Sequence, residues 1–259
     1  MGTYTNQNAT FCWLDLATTD PVGAKIFYSK VFGWETMDVP VGEDMVYTML
    51  NLKGQPVAAL SLMPKEQADM NMPPFWTSYI AVDDAAATCV KAERNAGKVV
   101  MPPMQVMDEG YMAILQDPEG AYVGIWQAMN MQGFAYYGET GSVCWFEEGC
   151  FNRENAIPFY EKTFGWSSTT SPMGKNLYTL FNLDEMMVAG MYEMTEEMKD
   201  IPAHWLPYFG VRDIDKALSV TEEMNGKVLM QKLFVEDVGY FAVIQDPQGG
   251  ALGLLEMPV

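Results

Sequence analysis

Two short runs of the chain place an aromatic ring and a carboxylate two residues apart, Trp13 with Asp15 and Trp145 with Glu147. That spacing puts both side chains on one face of an extended strand. A ring beside a carboxylate can grip a planar or cationic molecule by stacking and charge. It can also move protons, because burial raises a carboxyl group's hold on its proton. The alternative is a packed face, where the rings fill space and the acids bond to backbone. Other reactive types are sparse. His204 is the single histidine, so a two-imidazole metal site has no material in this chain. Cys12, Cys89, Cys144 and Cys150 lack the paired spacing of metal or disulfide frameworks. Strand alternation turns Cys12 and Cys144 to the face opposite the ring and acid pairs, which argues against nucleophilic roles.

The pairs occur twice because the chain is written twice. FCWLDLATTDPVGAKIFYSKVFGW, starting at Phe11, returns as VCWFEEGCFNRENAIPFYEKTFGW, starting at Val143, an offset of 132. GYMAILQDPEGAYVGIW, from Gly110, returns as GYFAVIQDPQGGALGLL, from Gly239, an offset of 129. The change of register falls between the matched runs, where loop deletions are tolerated. Residues 129–140 have no counterpart and no periodic pattern. They read as a linker between a domain at 1–128 and a second at 141–259.

Within each copy the periodicity predicts a strand, a helix and three strands, then the same order again. Asp20 offers an N-cap with Pro21 in the first turn, apolar residues recur at helical spacing from Ala24 to Phe32, and Gly33 ends the run. A strand at about 75–82, a helix at about 84–96 and strands near Val99, at 112–115 and at 122–126 complete the copy. The fold class is therefore α+β, with four βαβββ modules in total.

Bulk properties narrow the function. The length of 259 residues suits two domains. A formal charge of −19 repels nucleic acid and anionic membrane, and would attract a cationic small molecule, although such charge first serves solubility. The first residues, MGTYTNQNATF, show no basic start followed by an apolar run, and no stretch is apolar enough to span a bilayer. A cytoplasmic location is expected.

The D-x-x-x-A-x-x-F-Y-x-x-x-F-G-W run and the D-P-x-G turn, each present twice, resemble the vicinal-oxygen-chelate superfamily of glyoxalases, bleomycin-resistance proteins and extradiol dioxygenases. The resemblance covers nearly the whole chain. It implies that paired modules curl into cups, at whose base the family's enzymes hold a divalent metal. Carried onto this sequence, the three ligand positions of the first copy are Trp13, Thr77 and Gly124, and those of the second are Trp145, Leu206 and Gly253. None suits a divalent ion, so no metal or other cofactor is expected.

By alternation, Asp15 and Glu147 share the cups with these positions, as do Tyr79, Tyr208 and Trp126. The ligand-binding set is then Trp13, Asp15, Thr77, Tyr79, Trp126, Trp145, Glu147 and Tyr208, with Asp15 and Glu147 the acids available for catalysis. The first copy, with Thr77 against Leu206 and Trp126 against Leu255, has the more polar lining. Three functions stay open. One is a metal-independent binder of a small organic molecule, aromatic or cationic, acting as a monomer or homodimer. A second is a metal-free lyase or hydroxylase-like enzyme using an inward carboxylate. The third is a structural or regulatory partner with filled cups.

Overall fold

The computed structural model describes residues 6–41, 45–174 and 176–257. Part of the sequence bearing on a leader, residues 1–5, lies outside them. The first copy runs β1 (Phe11–Thr18), α1 (Pro21–Phe32), β2 (Glu35–Val41), β3 (Met45–Leu52), β4 (Gln55–Leu62), a one-turn α2 (Lys65–Asp69), β5 (Phe75–Ala81), α3 (Ala85–Arg94), β6 (Lys98–Val106), β7 (Gly110–Gln116) and β8 (Tyr122–Ala128). The second runs β9 (Val143–Cys150), α4 (Arg153–Phe164), β10 (Ser167–Met173), β11 (Asn176–Leu183), β12 (Met186–Glu193), β13 (His204–Val211), α5 (Ile214–Glu223), β14 (Lys227–Val235), β15 (Gly239–Gln245) and β16 (Ala251–Glu256). Each copy makes one eight-stranded mixed sheet, ordered β2-β3-β4-β1-β5-β8-β7-β6 and β10-β11-β12-β9-β13-β16-β15-β14. The α+β tandem of four modules is thus present, and no described helix is long and apolar enough to cross a membrane.

The local signals act as their chemistry requires. Asp20 accepts from the Gly23 amide at 3.0 Å, Pro21 opens α1, and Gly33 closes it at φ 74°, a left-handed angle that favours glycine. The strand expected near Val99 is longer than its pattern suggests. It carries Pro102 and Pro103 where its register against β7 shifts, which an edge strand tolerates because its outer donors need no partner.

Contacts divide the chain into two compact units, each drawing on both copies. Among the described residues, one holds those in 6–13, 77–133 and 145–206; the other holds those in 14–76, 134–144 and 207–257. Two repeated motifs explain the division. In the first unit the α4 phenol of Tyr160 donates to Asp117 at 3.0 Å, and the other Asp117 oxygen accepts the amides of Glu119, Gly120 and Ala121. In the second unit Tyr28 of α1 donates to Asp246 at 2.7 Å, and Asp246 accepts the amides of Gln248, Gly249 and Gly250. The helix motif of one copy therefore locks onto the D-P-x-G turn of the other. A buried bond to a charged acceptor contributes about 1.5–3 kcal/mol.

Each phenol sits in an aromatic cluster, Phe164, Trp166, Phe181 and Trp205 around Tyr160, and Phe32, Trp34 and Trp76 around Tyr28. The segment expected to be a linker is partly tied down in both units. The Met131 carbonyl accepts from the Trp126 indole at 2.9 Å, the Ala135 amide donates to Pro56 at 2.9 Å, and Phe134 is buried.

Candidate functional site

In the first unit, alternation along β9 turns Trp145, Glu147 and Gly149 to one face while Cys144, Phe146 and Glu148 take the other. Two strands away, Tyr178 of β11 reaches across Gly190 of β12, the residue paired in register with Glu147. The Trp145 indole donates to the Tyr178 hydroxyl at 2.9 Å, and that hydroxyl donates to Glu147 at 2.7 Å. Gly190 makes this possible, since a Cβ there would stand 1.8 Å from the Tyr178 oxygen. Gly149 likewise seats two groups, with the Tyr192 hydroxyl 2.9 Å and the His204 ring 3.0 Å from where its Cβ would be. One face thus gathers an indole, a carboxylate, two phenols and an imidazole.

The charge states follow from burial. Tyr178 is pushed far above the usual phenol range by desolvation first and the Glu147 charge second, and Tyr192 is raised by the same causes in the same order. Both stay protonated and can donate. His204 is lowered by burial, and its Nδ1 lies 2.9 Å from the Pro202 carbonyl. A carbonyl only accepts, so Nδ1 carries the proton and Nε2 is left as an acceptor. The set can present neutral donors and acceptors beside a carboxylate, which suits a carbonyl, hydroxyl or amine on an aromatic frame.

The second unit repeats the carboxylate and phenol pair. Tyr47 of β3 donates to Asp15 of β1 at 3.1 Å, the counterpart of Tyr178 and Glu147. Ser61 stands across from Tyr47 where Tyr192 stands across from Tyr178, and Phe75 opens β5 where His204 opens β13. In the second copy Tyr192 and His204 add a phenol and an imidazole to this face. Tyr47, Tyr178, Tyr192 and His204 fall outside the set expected from sequence. The signal for two of them was present, because MVYTMLNL and NLYTLFNL repeat a tyrosine in the same strand.

Each remaining expected residue has a definite place. Tyr79 of β5 is paired with Gly124, and Tyr208 of β13 with Gly253. A Cβ on Gly124 would fall 2.2 Å from the Tyr79 ring, and one on Gly253 would fall 2.1 Å from the Tyr208 ring. The room left by the glycines is occupied by the rings. Trp13 and Trp126 are buried, the latter bonded to Met131, and Thr77 is half-buried on β5. Cys12 and Cys144 are held by the carbonyls of Tyr79 and Tyr208, and burial pushes the Cys144 thiol up to about 12, too high for a thiolate nucleophile.

The family's metal does not fit these residues. The six ligand positions offer indole, hydroxyl, isobutyl and glycine, and a tyrosine ring blocks any side chain at two of them. Among the described residues no group of three His, Cys, Asp or Glu is arranged to hold an ion.

Paired βαβββ modules with D-P-x-G turns define a glyoxalase-type protein. Residues 10–125 match the model of the Glyoxalase/Bleomycin resistance protein/Dioxygenase superfamily. The chain is 39% identical over 247 residues to "Putative glyoxylase CFP32" of Mycobacterium tuberculosis, covering 94% of this chain and 93% of that protein. It is 30% identical over 258 residues to the anthracycline biosynthesis protein DnrV of Streptomyces peucetius, covering 95% and 92%. In fold it is similar to the crystal structure of the Mn(II)-bound glyoxalase from Novosphingobium aromaticivorans, with TM-score 0.67 at 13% identity over 97% of this chain and 83% of that one. The chain belongs to the glyoxalase/bleomycin-resistance/dioxygenase superfamily.

Proposed function

We propose that this protein is a metal-independent member of the superfamily that binds a small organic molecule, aromatic or cationic, on the β9–β13 face. The observation that supports this most directly is the exchange at the ligand positions: tyrosine rings lie over Gly124 and Gly253, where family enzymes place a carboxylate. The Trp145, Tyr178 and Glu147 chain supplies what a non-metal site needs, a ring to stack on and a directional donor and acceptor. The relationship to an anthracycline biosynthesis protein favours a planar aromatic ligand.

Calorimetric titration in EDTA against an anthraquinone, an aromatic carboxylate, a cationic aromatic amine and a 1,2-dicarbonyl tests this reading. Binding of a planar or cationic compound is expected without metal, weakened about tenfold in Tyr178→Phe or Glu147→Gln, the equivalent of one charge-assisted bond. Binding that appears only after a divalent ion is added overturns it. A second reading, a metal-free lyase or hydroxylase-like enzyme, draws support from the neutral imidazole and phenols around Glu147. Turnover of any of these compounds that vanishes in Glu147→Gln, with binding retained, selects that reading.

A further inference from the structure

The same unit carries a cluster of hydrogen-bond donors that the strand-face site does not use. A cavity of about 170 Å³ is lined by Asn8, Thr88 and Lys91 of α3, and Lys162, Thr163 and Phe164 at the end of α4. It is an unusual lining for a chain of charge −19 with only 15 basic residues. Neither lysine takes part in an ion pair among the described residues. Asp84, at the start of α3, already accepts the Ala87 amide as N-cap. Asn8 has its oxygen on the Asp83 amide, so its amide nitrogen remains as a donor. Thr163 receives a bond from Asn95, leaving its own proton to give.

The repeat shows what the fold itself requires here. Lys162 has its counterpart in Lys30, and a cation in the last turn of a helix is accounted for by the helix dipole. Thr88, Lys91 and Thr163 correspond instead to Ala217, Val220 and Val31, apolar residues with which the other copy builds the same helices. The other copy forms the same helices without these three polar groups. We infer that this cavity is a binding site for a small tetrahedral oxyanion, a phosphate group held by Lys91, Lys162, Thr163 and Asn8. The end of α4 opposes an anion with about half a charge, and two ammonium groups outweigh it.

Thermal unfolding with inorganic phosphate, against sodium chloride at equal ionic strength, tests the inference. Phosphate at about ten times its dissociation constant should raise the midpoint by about 2–4 °C beyond the chloride control. The triple variant Thr88→Ala/Lys91→Val/Thr163→Val installs the other copy's residues. It should match the wild type in chloride and lose the phosphate shift. Lys91→Gln, which changes only the surface charge, should weaken phosphate binding about tenfold by calorimetry. No phosphate-specific shift in the wild type, or an undiminished one in either variant, overturns the proposal. Phenyl phosphate distinguishes the sources: tighter binding than inorganic phosphate identifies a phosphorylated organic ligand, and equal or weaker binding identifies the free ion.

Discussion

The two units are built on one frame, and two neighbouring positions on the strand that opens each copy, 15 and 16 against 147 and 148, show how they differ. Leu16 of β1 is a buried aliphatic residue in the unit that holds the Tyr28 to Asp246 lock. Its counterpart Glu148 of β9 is fully buried beside Asp117 and Tyr160, in the unit with the Tyr160 to Asp117 lock. Burial first, and the negative charge of Asp117 second, push the Glu148 carboxyl well above the usual range, so it is held neutral. On the opposite face the same strand carries Glu147 bonded to Tyr178, as β1 carries Asp15 bonded to Tyr47. The comparison teaches that the frame tolerates either lining. Tyr192 and His204 stand where the other copy has Ser61 and Phe75, so the frame forms with either set.

The largest effect should come from imposing one copy's choice on the other. Leu16→Glu places an acid beside Asp246 with no partner and is expected to lower stability by about 3–5 kcal/mol at pH 7, read by urea unfolding. An effect under 1 kcal/mol would mean that the second unit can hydrate that position.

Gly190→Ala comes next. Its counterpart is Ala59, but here the methyl would meet the Tyr178 hydroxyl, so a loss of about 1–3 kcal/mol is expected together with weaker ligand binding. If the variant is as stable as the wild type, the Tyr178 to Glu147 bond is not held as described.

The reverse exchange, Glu148→Leu, should stabilise the protein by about 1–2 kcal/mol at pH 7, because it removes a buried acid that must hold its proton there. The pH dependence fixes the cause. With the folded value raised, the penalty is absent below the unfolded value near 4.3 and grows as pH rises above it, since only the unfolded chain then releases the proton. The difference between variant and wild type should vanish near pH 4. A pH-independent gain would point to packing alone.

The smallest effect is expected for His204→Phe, the residue type opening the equivalent strand β5. The lowered His204 value means that the unfolded chain takes up a proton below about pH 6.5 before the folded one does. Wild type should therefore lose up to about 1 kcal/mol relative to the variant between pH 6.5 and 5, with no difference at pH 8. Ligand affinity should fall at both pH values if Nε2 is a contact.

Much of this was legible in the residues. The doubled motif fixed four βαβββ modules, and Asp20, Pro21 and Gly33 marked the ends of a helix by local chemistry that needs no tertiary context. The face shared by Trp145 and Glu147 followed from a period of two. Which strand lies across from that face, and in what register, is a long-range matter, so the partnership of Tyr178, 31 residues away, could not be read from spacing. The same holds for the helix motif of one copy closing on the turn of the other. Sequence determined the modules and which side of each strand carries chemistry, because propensity and alternation act between near neighbours. Tertiary structure alone decided which acids are buried or hydrogen-bonded, because burial and charge depend on atoms brought together from distant parts of the chain.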